Sequence, residues 1–438
     1  MGNKFEQIIA EQREERNSLP FADWCIRSDE SKIDLNSPLA QIVIGVRRSG
    51  KSTLCHKILK DRNIDYAYVN FDDERLLKLK SEQLNDVLQA LYVIYGDFKY
   101  LFLDEIQNVE GWHLFVNRLL RKGIRLIITG SNAKLLSGEL STYLTGRYVE
   151  IELFPFSFSE TLNYRKINPN AKTTKELAFR RQAYLGYLRQ GGFPEMFQIG
   201  EMQKREYLRT LFQSIIFKDV VKRFNIKYIK TLSDISNVLL NNISREISYT
   251  RIAKTLGIRS VHTAQNYVSY LEQAYLFLSI PRFSYKSIAR AGNRKTYAID
   301  AAFLSFLPEV TGANEGYLLE NIVFLELCRR RAGGNFDIYY YRNNYEIDFV
   351  ISQNGSIREL IQVSLTLENE KTRKREISAL LKGADELHCN NLKIITQDET
   401  NTIPGNDNTI EVVSVIDWLC RSSKTWGKKH GSTGAESD

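Results

Sequence analysis

The chain reads as alternating blocks. Residues 40–44, Ala-Gln-Ile-Val-Ile, form an apolar, β-branched run that ends in a glycine. Short apolar runs recur at residues 66–71, 100–103, 126–129 and 148–153, separated by helix-length segments. Runs that are apolar throughout, rather than at every second position, belong to strands buried on both faces. With helical spacers they predict an α/β unit built on a parallel sheet. From Ser157 to about Ile280 apolar positions fall three and four apart and glycine is scarce, which predicts an all-helical middle. Strand-like runs return after Arg294, at 336–341, 347–351, 360–365 and 392–396, with helical segments between them, and predict a second α/β unit. Residues 1–37 read as polar helix, and residues 421–438, rich in Lys, Ser and Gly, are expected to be disordered. No internal repeat is present.

Composition fits this picture. At 438 residues, 43% hydrophobic and 26% charged, the chain is a multidomain globular protein rather than a fibrous or disordered one. No run approaches the roughly 18 uncharged apolar residues of a membrane span, and MGNKFEQ lacks the apolar stretch of a signal peptide. Met1-Gly2 opens like a myristoylation signal, but Glu6 stands where Ser or Thr is wanted. A cytoplasmic location with no membrane partner is expected. Five scattered cysteines without a CxxC pair are expected to be reduced and structural, and five histidines show no paired spacing. Any metal therefore arrives with nucleotide. The net charge of +8 is localised, because residues 201–300 hold 17 Lys and Arg against 7 Asp and Glu. Such a segment is the footprint of a polyanion, nucleic acid being the commonest; a solvated basic face is the alternative.

The glycine after the first strand opens Gly45-Val46-Arg47-Arg48-Ser49-Gly50-Lys51-Ser52-Thr53, a GxxxxGK[ST] pattern leading into helical residues 54–59. Its glycines let the backbone turn so that amides and the helix N-terminus face phosphates, Lys51 neutralises the β/γ charge and Ser52 ligates magnesium. The run 100–103 ends in Asp104-Glu105. At the end of a strand beside the loop, Asp104 serves the magnesium shell and Glu105 polarises the attacking water. The guanine-specifying NKxD pattern is absent, so ATP with Mg2+ is the expected ligand. After the run 126–129, Asn132 is a candidate sensor of the γ-phosphate, with a helix N-cap by Ser131 or Asn132 as the structural alternative. Arg147, before the next strand, is a candidate finger reaching a neighbouring subunit in a homo-oligomer, or else a surface ion-pair residue.

In the basic middle, Ser248 caps a short helix that stops at Gly257, and a second helix over 261–275 follows directly. This is the pattern of a helix-turn-helix. Its second helix offers His262, Thr263, Gln265 and Asn266 to base edges, and Arg251, Lys254 and Arg259 to phosphates. A lid extension or protein-docking module is the competing reading.

Several runs together resemble the AAA-type ATPases of bacteria and archaea that carry a C-terminal domain of unknown function. They are GVRRSGKST at 45–53, LFLDEIQNVEGW at 101–112, ITGSNAKLLSGELSTYLTGRYVEIELFPFSFSE at 128–160, GGFPE at 191–195, FKDVVKRF at 217–224, ENIVFLEL at 320–327 and EIDFVI at 346–351. The resemblance spans nearly the whole chain. It implies an α/β fold with a P-loop AAA+ core, a helical lid, a winged-helix unit and a C-terminal domain similar to PD-(D/E)xK nucleases. The expected boundaries are 1–37, 38–156 (ATPase core), 157–235 (lid), 236–293 (winged helix), 294–420 (nuclease-like) and 421–438. In such nucleases an acid on one strand, an acid and a lysine on the next and a helix glutamate surround the metal. Asp348 matches the first acid and Glu320 the helix position, but Gln362 and Ser364 stand where the second acid and the lysine belong. Lys371 or Lys374 is the only substitute in view, so a degenerate, DNA-holding domain is expected. The function expected is ATP hydrolysis coupled to action on DNA, with a nucleotide-gated protein-binding switch or scaffold and an ATP-gated nuclease as alternatives.

Overall fold

The computed structural model describes residues 4–421 except 22–23, 132–143, 145, 286–293, 307–314 and 406–407. Asn132 and the tail from residue 422 onward thus lie outside the described residues. The first unit is a sheet of β1 (Ala40–Ile44), β2 (Tyr66–Asn70), β3 (Tyr100–Asp104), β4 (Arg125–Gly130) and β5 (Tyr148–Glu152) in the order β2-β3-β4-β1-β5. Every pairing is parallel. β1 is buried along its whole length, with Ile42 and Ile44 in one apolar cluster and Val43 in the cluster on the opposite face. Helices α2 (Lys51–Asp61), α3 (Leu84–Tyr95) and α4 (Trp112–Arg121) supply the cover.

Only the first part of residues 1–37 is the expected polar helix. Helix α1 (Lys4–Asn17) caps the edge of the sheet: Gln12 Nε2 donates to Asn70 O at 3.1 Å while its Oε1 accepts from Asn70 N at 2.9 Å, satisfying backbone groups of edge strand β2. Beyond Asn17 the described residues of this stretch are irregular apart from a 3-10 turn at Ser28–Lys32, and they carry Arg27 into the core.

The middle contains α5 (Phe158–Tyr164), α6 (Thr174–Gln190), α7 (Glu201–Ser214), a π-helical turn at Ile215–Val221, and α8 (Ile229–Leu240). It is not all helical. Strands β6 (Arg245–Ile247), β7 (Phe277–Pro281) and β8 (Arg294–Ala298) form an antiparallel sheet, β6-β8-β7, around α9 (Tyr249–Thr255) and α10 (Val261–Gln273). β6 spans only three residues, and Ser279 in β7 and Arg294, Lys295 and Thr296 in β8 interrupt any apolar run. The expected boundary at 293/294 falls within this sheet, since β8 pairs back onto β7.

The last unit runs α11 (Glu315–Gly334), β9 (Asp337–Arg342), β10 (Glu346–Gln353), β11 (Ser356–Ser364), α12 (Glu370–Leu387), β12 (Leu392–Thr396), β13 (Asn401–Pro404), β14 (Thr409–Ser414) and α13 (Val415–Cys420), with sheet order β13-β14-β12-β11-β10-β9. β10 is antiparallel to both of its neighbours, β9 and β11, whereas β11, β12 and β14 are parallel. The sequence reading missed β13 and β14: β13 is an exposed edge strand ending in Pro404, and β14 opens with the polar Thr409 and Glu411 on either side of Ile410. Among the described residues no helix is long and apolar enough to cross a membrane, and all five cysteines are free thiols.

Candidate functional site

The loop that leaves β1 is fixed by steric demands. Gly45 sits at φ 150°, and a Cβ there would lie 2.1 Å from Leu153 O on the neighbouring segment. Gly50, at φ 91°, turns the chain into α2, which starts at Lys51 and so directs its first amides into the loop. Lys51 Nζ donates to Gly45 O and Val46 O, both at 3.1 Å, and lies 3.9 Å from Glu105 Oε1. The loop from Gly45 to Gly50 therefore folds back so that its first two carbonyls meet the Lys51 ammonium.

β4 lies between β1 and β3, yet the acids of β3 still meet the loop. Ser52 Oγ donates to Asp104 Oδ1 at 2.9 Å, Tyr68 OH to Oδ2 at 3.3 Å, and Thr129 Oγ1 also donates to Asp104. Thr129 accepts in turn from Glu105 N at 3.1 Å, so this one hydroxyl at the end of β4 aligns both acids. Burial, with the adjacent Glu105 charge, pushes Asp104 up to about 6. Glu105 occupies the left-handed region at φ 54°, and its carboxylate accepts from Gln107. Thr129 was not singled out from sequence; a hydroxyl at the end of the strand between loop and acids was its only signal.

Three arginine–carboxylate pairs hold the loop from outside, and sequence reasoning found none of them. Arg27, buried, donates through Nε to Glu160 Oε1 (3.0 Å), through Nη1 to Ser49 O (3.1 Å) and through Nη2 to Phe154 O (2.7 Å). Arg47 grips Asp219 with a fork, Nε to Oδ2 and Nη2 to Oδ1, both at 2.9 Å. Arg48 Nη1 donates to Glu195 Oε1 at 2.7 Å. The acids were visible only as members of the runs FPFSFSE, FKDVVKRF and GGFPE.

Arg147 is exposed before β5, where the register Ala40↔Tyr148 and Ile44↔Glu152 puts it at the end of the sheet opposite the loop. The structure does not bring it to its own chain's Lys51. In the middle unit, Ser248 Oγ caps α9 by accepting from Arg251 N. Arg251, Lys254, Arg259, His262 and Gln265 are exposed, while Thr263 and Asn266 are half-buried and Asn266 Nδ2 bonds His262 Nδ1 at 3.2 Å.

Glu320 and Asp348 do meet, around a residue the sequence reading overlooked. Lys295 Nζ, from β8, lies 3.0 Å from Glu320 Oε1, 3.2 Å from Asp348 Oδ1 and 2.6 Å from Glu346 Oε1, with its side chain 3% exposed. Burial works against this ammonium, and Glu320 and Asp348 outweigh it and hold the lysine charged. Gln362 Oε1 accepts from Asp348 N at 2.8 Å and its Nε2 donates to Glu376; Ser364 Oγ donates to Thr366 O at 3.0 Å. Lys371 and Lys374 do not supply the missing charge: both are exposed on α12, and Lys374 pairs with Glu370. Among the described residues no group of three or more His, Cys, Asp or Glu is arranged to hold a metal.

A parallel sheet with a phosphate loop after β1 and an Asp-Glu pair ending β3 defines a P-loop protein of the AAA type, and the family model described as an AAA domain matches residues 37–162. Residues 181–314 and 315–417 match two domains of unknown function, DUF8612 and DUF4143. The chain belongs to the same family as the uncharacterized protein MJ1544 of Methanocaldococcus jannaschii, with which it is 37% identical over 395 residues, 86% of this chain and 87% of that protein. An uncharacterized protein of Haemophilus influenzae is 32% identical over 395 residues, 86% of this chain and 94% of its own. Among solved structures, a Walker-type ATPase of Pyrococcus abyssi shares 14% identity over 66% of this chain and 97% of its own, with a TM-score of 0.44. The Thermotoga maritima RuvB Holliday junction branch migration motor shares 16% over 64% and 94%, with a TM-score of 0.30.

The Arg27–Glu160 pair gives a pH prediction. Burial raises the Glu160 carboxyl, but Arg27 and the Ser157 and Ser28 amides outweigh it and hold the group at about 2. A depressed carboxyl contributes stability that is complete above its unfolded value, about 4.5, and is lost as pH falls toward 2. Glu160→Gln should cost about 3–5 kcal/mol at pH 7, the usual price of breaking a buried pair, and the gap between native and variant urea midpoints should narrow between pH 5 and 3. A gap independent of pH would assign the stabilisation elsewhere.

Proposed function

We propose that the chain is a magnesium-dependent ATPase. One observation carries this reading: Ser52 Oγ and Asp104 Oδ1 stand 2.9 Å apart at the mouth of the Lys51 loop, with Glu105 next in the chain. A hydroxyl and a carboxylate at a loop–helix junction fit a hard, octahedral cation that takes its other ligands from phosphate and water. Bound there, magnesium would neutralise charge on the β- and γ-phosphates. Lys51 exchanges the Gly45 and Val46 carbonyls for phosphate oxygens, and the α2 amides bind the β-phosphate. Glu105 orients a water whose oxygen bonds to the γ-phosphorus as the bond to the bridging oxygen breaks; the electron pair leaves on ADP, and the water's proton passes to Glu105. The lack of an NKxD run favours adenine. Arg147, on an edge strand remote from its own loop, is proposed to act on a neighbour in a homo-oligomer.

DNA is the proposed partner, with β6, α9, α10, β7 and β8 read as a winged helix. Support comes from the exposure of Arg251, Lys254, Arg259, His262 and Gln265 at one helix-turn-helix crossing. The last unit is read as a nuclease-like domain that has lost its chemistry, because the Lys295 ammonium lies among the carboxylates a metal would need.

Lys51→Ala should abolish ATP binding, whereas Glu105→Gln should keep it and lower turnover by about 100-fold or more; native turnover in Glu105→Gln would refute the water-activating assignment. Reversing Arg251, Lys254 and Arg259 to Glu should flatten the slope of log affinity for duplex DNA against log salt by about 0.9 per lost phosphate contact. Equal slopes would favour a protein-docking role. Native protein should leave supercoiled DNA intact with magnesium or manganese; nicking lost in Asp348→Ala but kept in Lys51→Ala would revive the nuclease reading.

A further inference from the structure

The loop contains a cation whose role the nucleotide site does not exhaust. Arg47 is the second residue beyond Gly45, and its side chain is 20% exposed. Its guanidinium is ringed by acids: the fork to Asp219, Asp72 Oδ2 at 3.7 Å, and Glu105, whose charge acts on it. Asp219 is itself 5% exposed and lies 3.4 Å from Ser131 Oγ, two residues past the Thr129 that aligns Asp104 and Glu105. Arg47 thus occupies the space between the loop, the water-activating acid and the end of β4.

We propose that Arg47 is an arginine finger supplied by the chain's own loop, and that Asp219 is the latch that holds it until a terminal phosphate competes for the same fork. This rests on the reading of residues 45–53 as an ATP site. A planar guanidinium presents paired donors that match two carboxylate oxygens or two phosphate oxygens equally well. ADP leaves Asp219 as the nearer anion, whereas the γ-phosphate of ATP brings more charge to the position facing Glu105. When Arg47 exchanges partners, Asp219 loses the cation that justified its burial, and the element carrying it must adjust. That element is the π-helical turn Ile215–Val221, a geometry that is rare and concentrates at functional positions. Three residues beyond it, Phe224 stacks on Tyr270 of α10 with ring centroids 4.0 Å apart at 10°. The exchange therefore reaches the helix offered to DNA, through a contiguous path of one ion pair, one turn and one ring stack. Asp219 is a positioning residue in this scheme, since it touches no reacting atom; of the two, only Arg47 meets the phosphate.

Calorimetric titration with ADP and with the nonhydrolysable analogue AMP-PNP, both with magnesium, separates this role from a structural one. Arg47→Ala should weaken AMP-PNP by about tenfold or more, the value of a charge-assisted hydrogen bond, and leave ADP within about threefold. Its ATP turnover should fall by about 1,000-fold, the lower range for arginine fingers. Asp219→Asn keeps the shape and removes the competing charge, so it should raise the preference for AMP-PNP over ADP by about tenfold. A gain of that kind cannot arise from misfolding, so this variant decides the matter even where Arg47→Ala folds poorly. Equal shifts for ADP and AMP-PNP in Asp219→Asn, or native turnover in Arg47→Ala, overturn the proposal. Native protein that binds both nucleotides without hydrolysis refutes the ATPase reading while the preference ratio still decides the latch; native protein that binds neither overturns both.

Discussion

A phosphate loop is held by what surrounds it. Its amides must point inward, which leaves its carbonyls and side chains facing the protein, where each polar group needs a partner. Here those partners are arginines and their acids. Arg27 takes the Ser49 carbonyl while paired to Glu160, Arg47 reaches out of the loop to Asp219, and Arg48 reaches Glu195. A buried pair of this kind adds little net stability over an apolar substitute, yet breaking one partner is costly. The loop is therefore specified in position by groups from four distant segments, and each segment is informed of any change in the loop.

That arrangement explains which parts of the protein were legible in the sequence. The strands of the first sheet, the loop, and the acids Asp104 and Glu105 were readable because each signal is local: an apolar run, a glycine spacing, a run ending in two acids. Arg27, Thr129, Asp219 and Lys295 were not, because their meaning lies in a partner far along the chain, and a lone arginine or threonine carries no period. Lys295 is the sharpest case. The substitutes visible in the sequence, Lys371 and Lys374, follow Ser364 on the next helix, while the lysine that reaches Asp348 precedes it by 53 residues. β13 and β14 escaped for another reason, β13 being an exposed, Pro-terminated edge strand and β14 opening with the polar Thr409 and Glu411 on either side of Ile410.

The two acid clusters of the chain differ in what satisfies them, and this sets their chemistry. Asp104 is held by neutral hydroxyls from Ser52, Tyr68 and Thr129, and burial together with Glu105 raises it to about 6. Hydroxyls bring no charge of their own, and the cation that acts on Asp104 is Lys51 of the loop. Glu320, Glu346 and Asp348 instead surround an ammonium fixed by its own backbone in β8. Their charge is already met by a cation tethered to β8, a strand paired on both sides by β6 and β7. The first cluster rests on neutral donors, and the second ties α11 and β10 to β8 through one ammonium.

The same logic makes the run after β5 the junction of the molecule. Arg27, from the irregular N-terminal segment, binds the Phe154 carbonyl; Arg329, from α11, binds the carbonyls of Pro155 (3.1 Å) and Phe156 (3.4 Å). Phe156 N donates to Gly192 O at 2.7 Å, and Ser159 Oγ to Leu419 O at 3.0 Å near the end of the described chain. Irregular backbone buried in this way is tolerable only if every carbonyl finds a donor, and here the donors come from all parts of the chain. The run LFPFSFSE at 153–160 is thus held by partners at Phe154, Pro155, Phe156 and Ser159. Glu160, at its end, completes the circuit by holding the arginine that holds the Ser49 carbonyl. A shift of α11 against the first sheet would pull on Pro155 and Phe156, and through Glu160 and Arg27 that strain arrives at the phosphate loop two residues before Lys51.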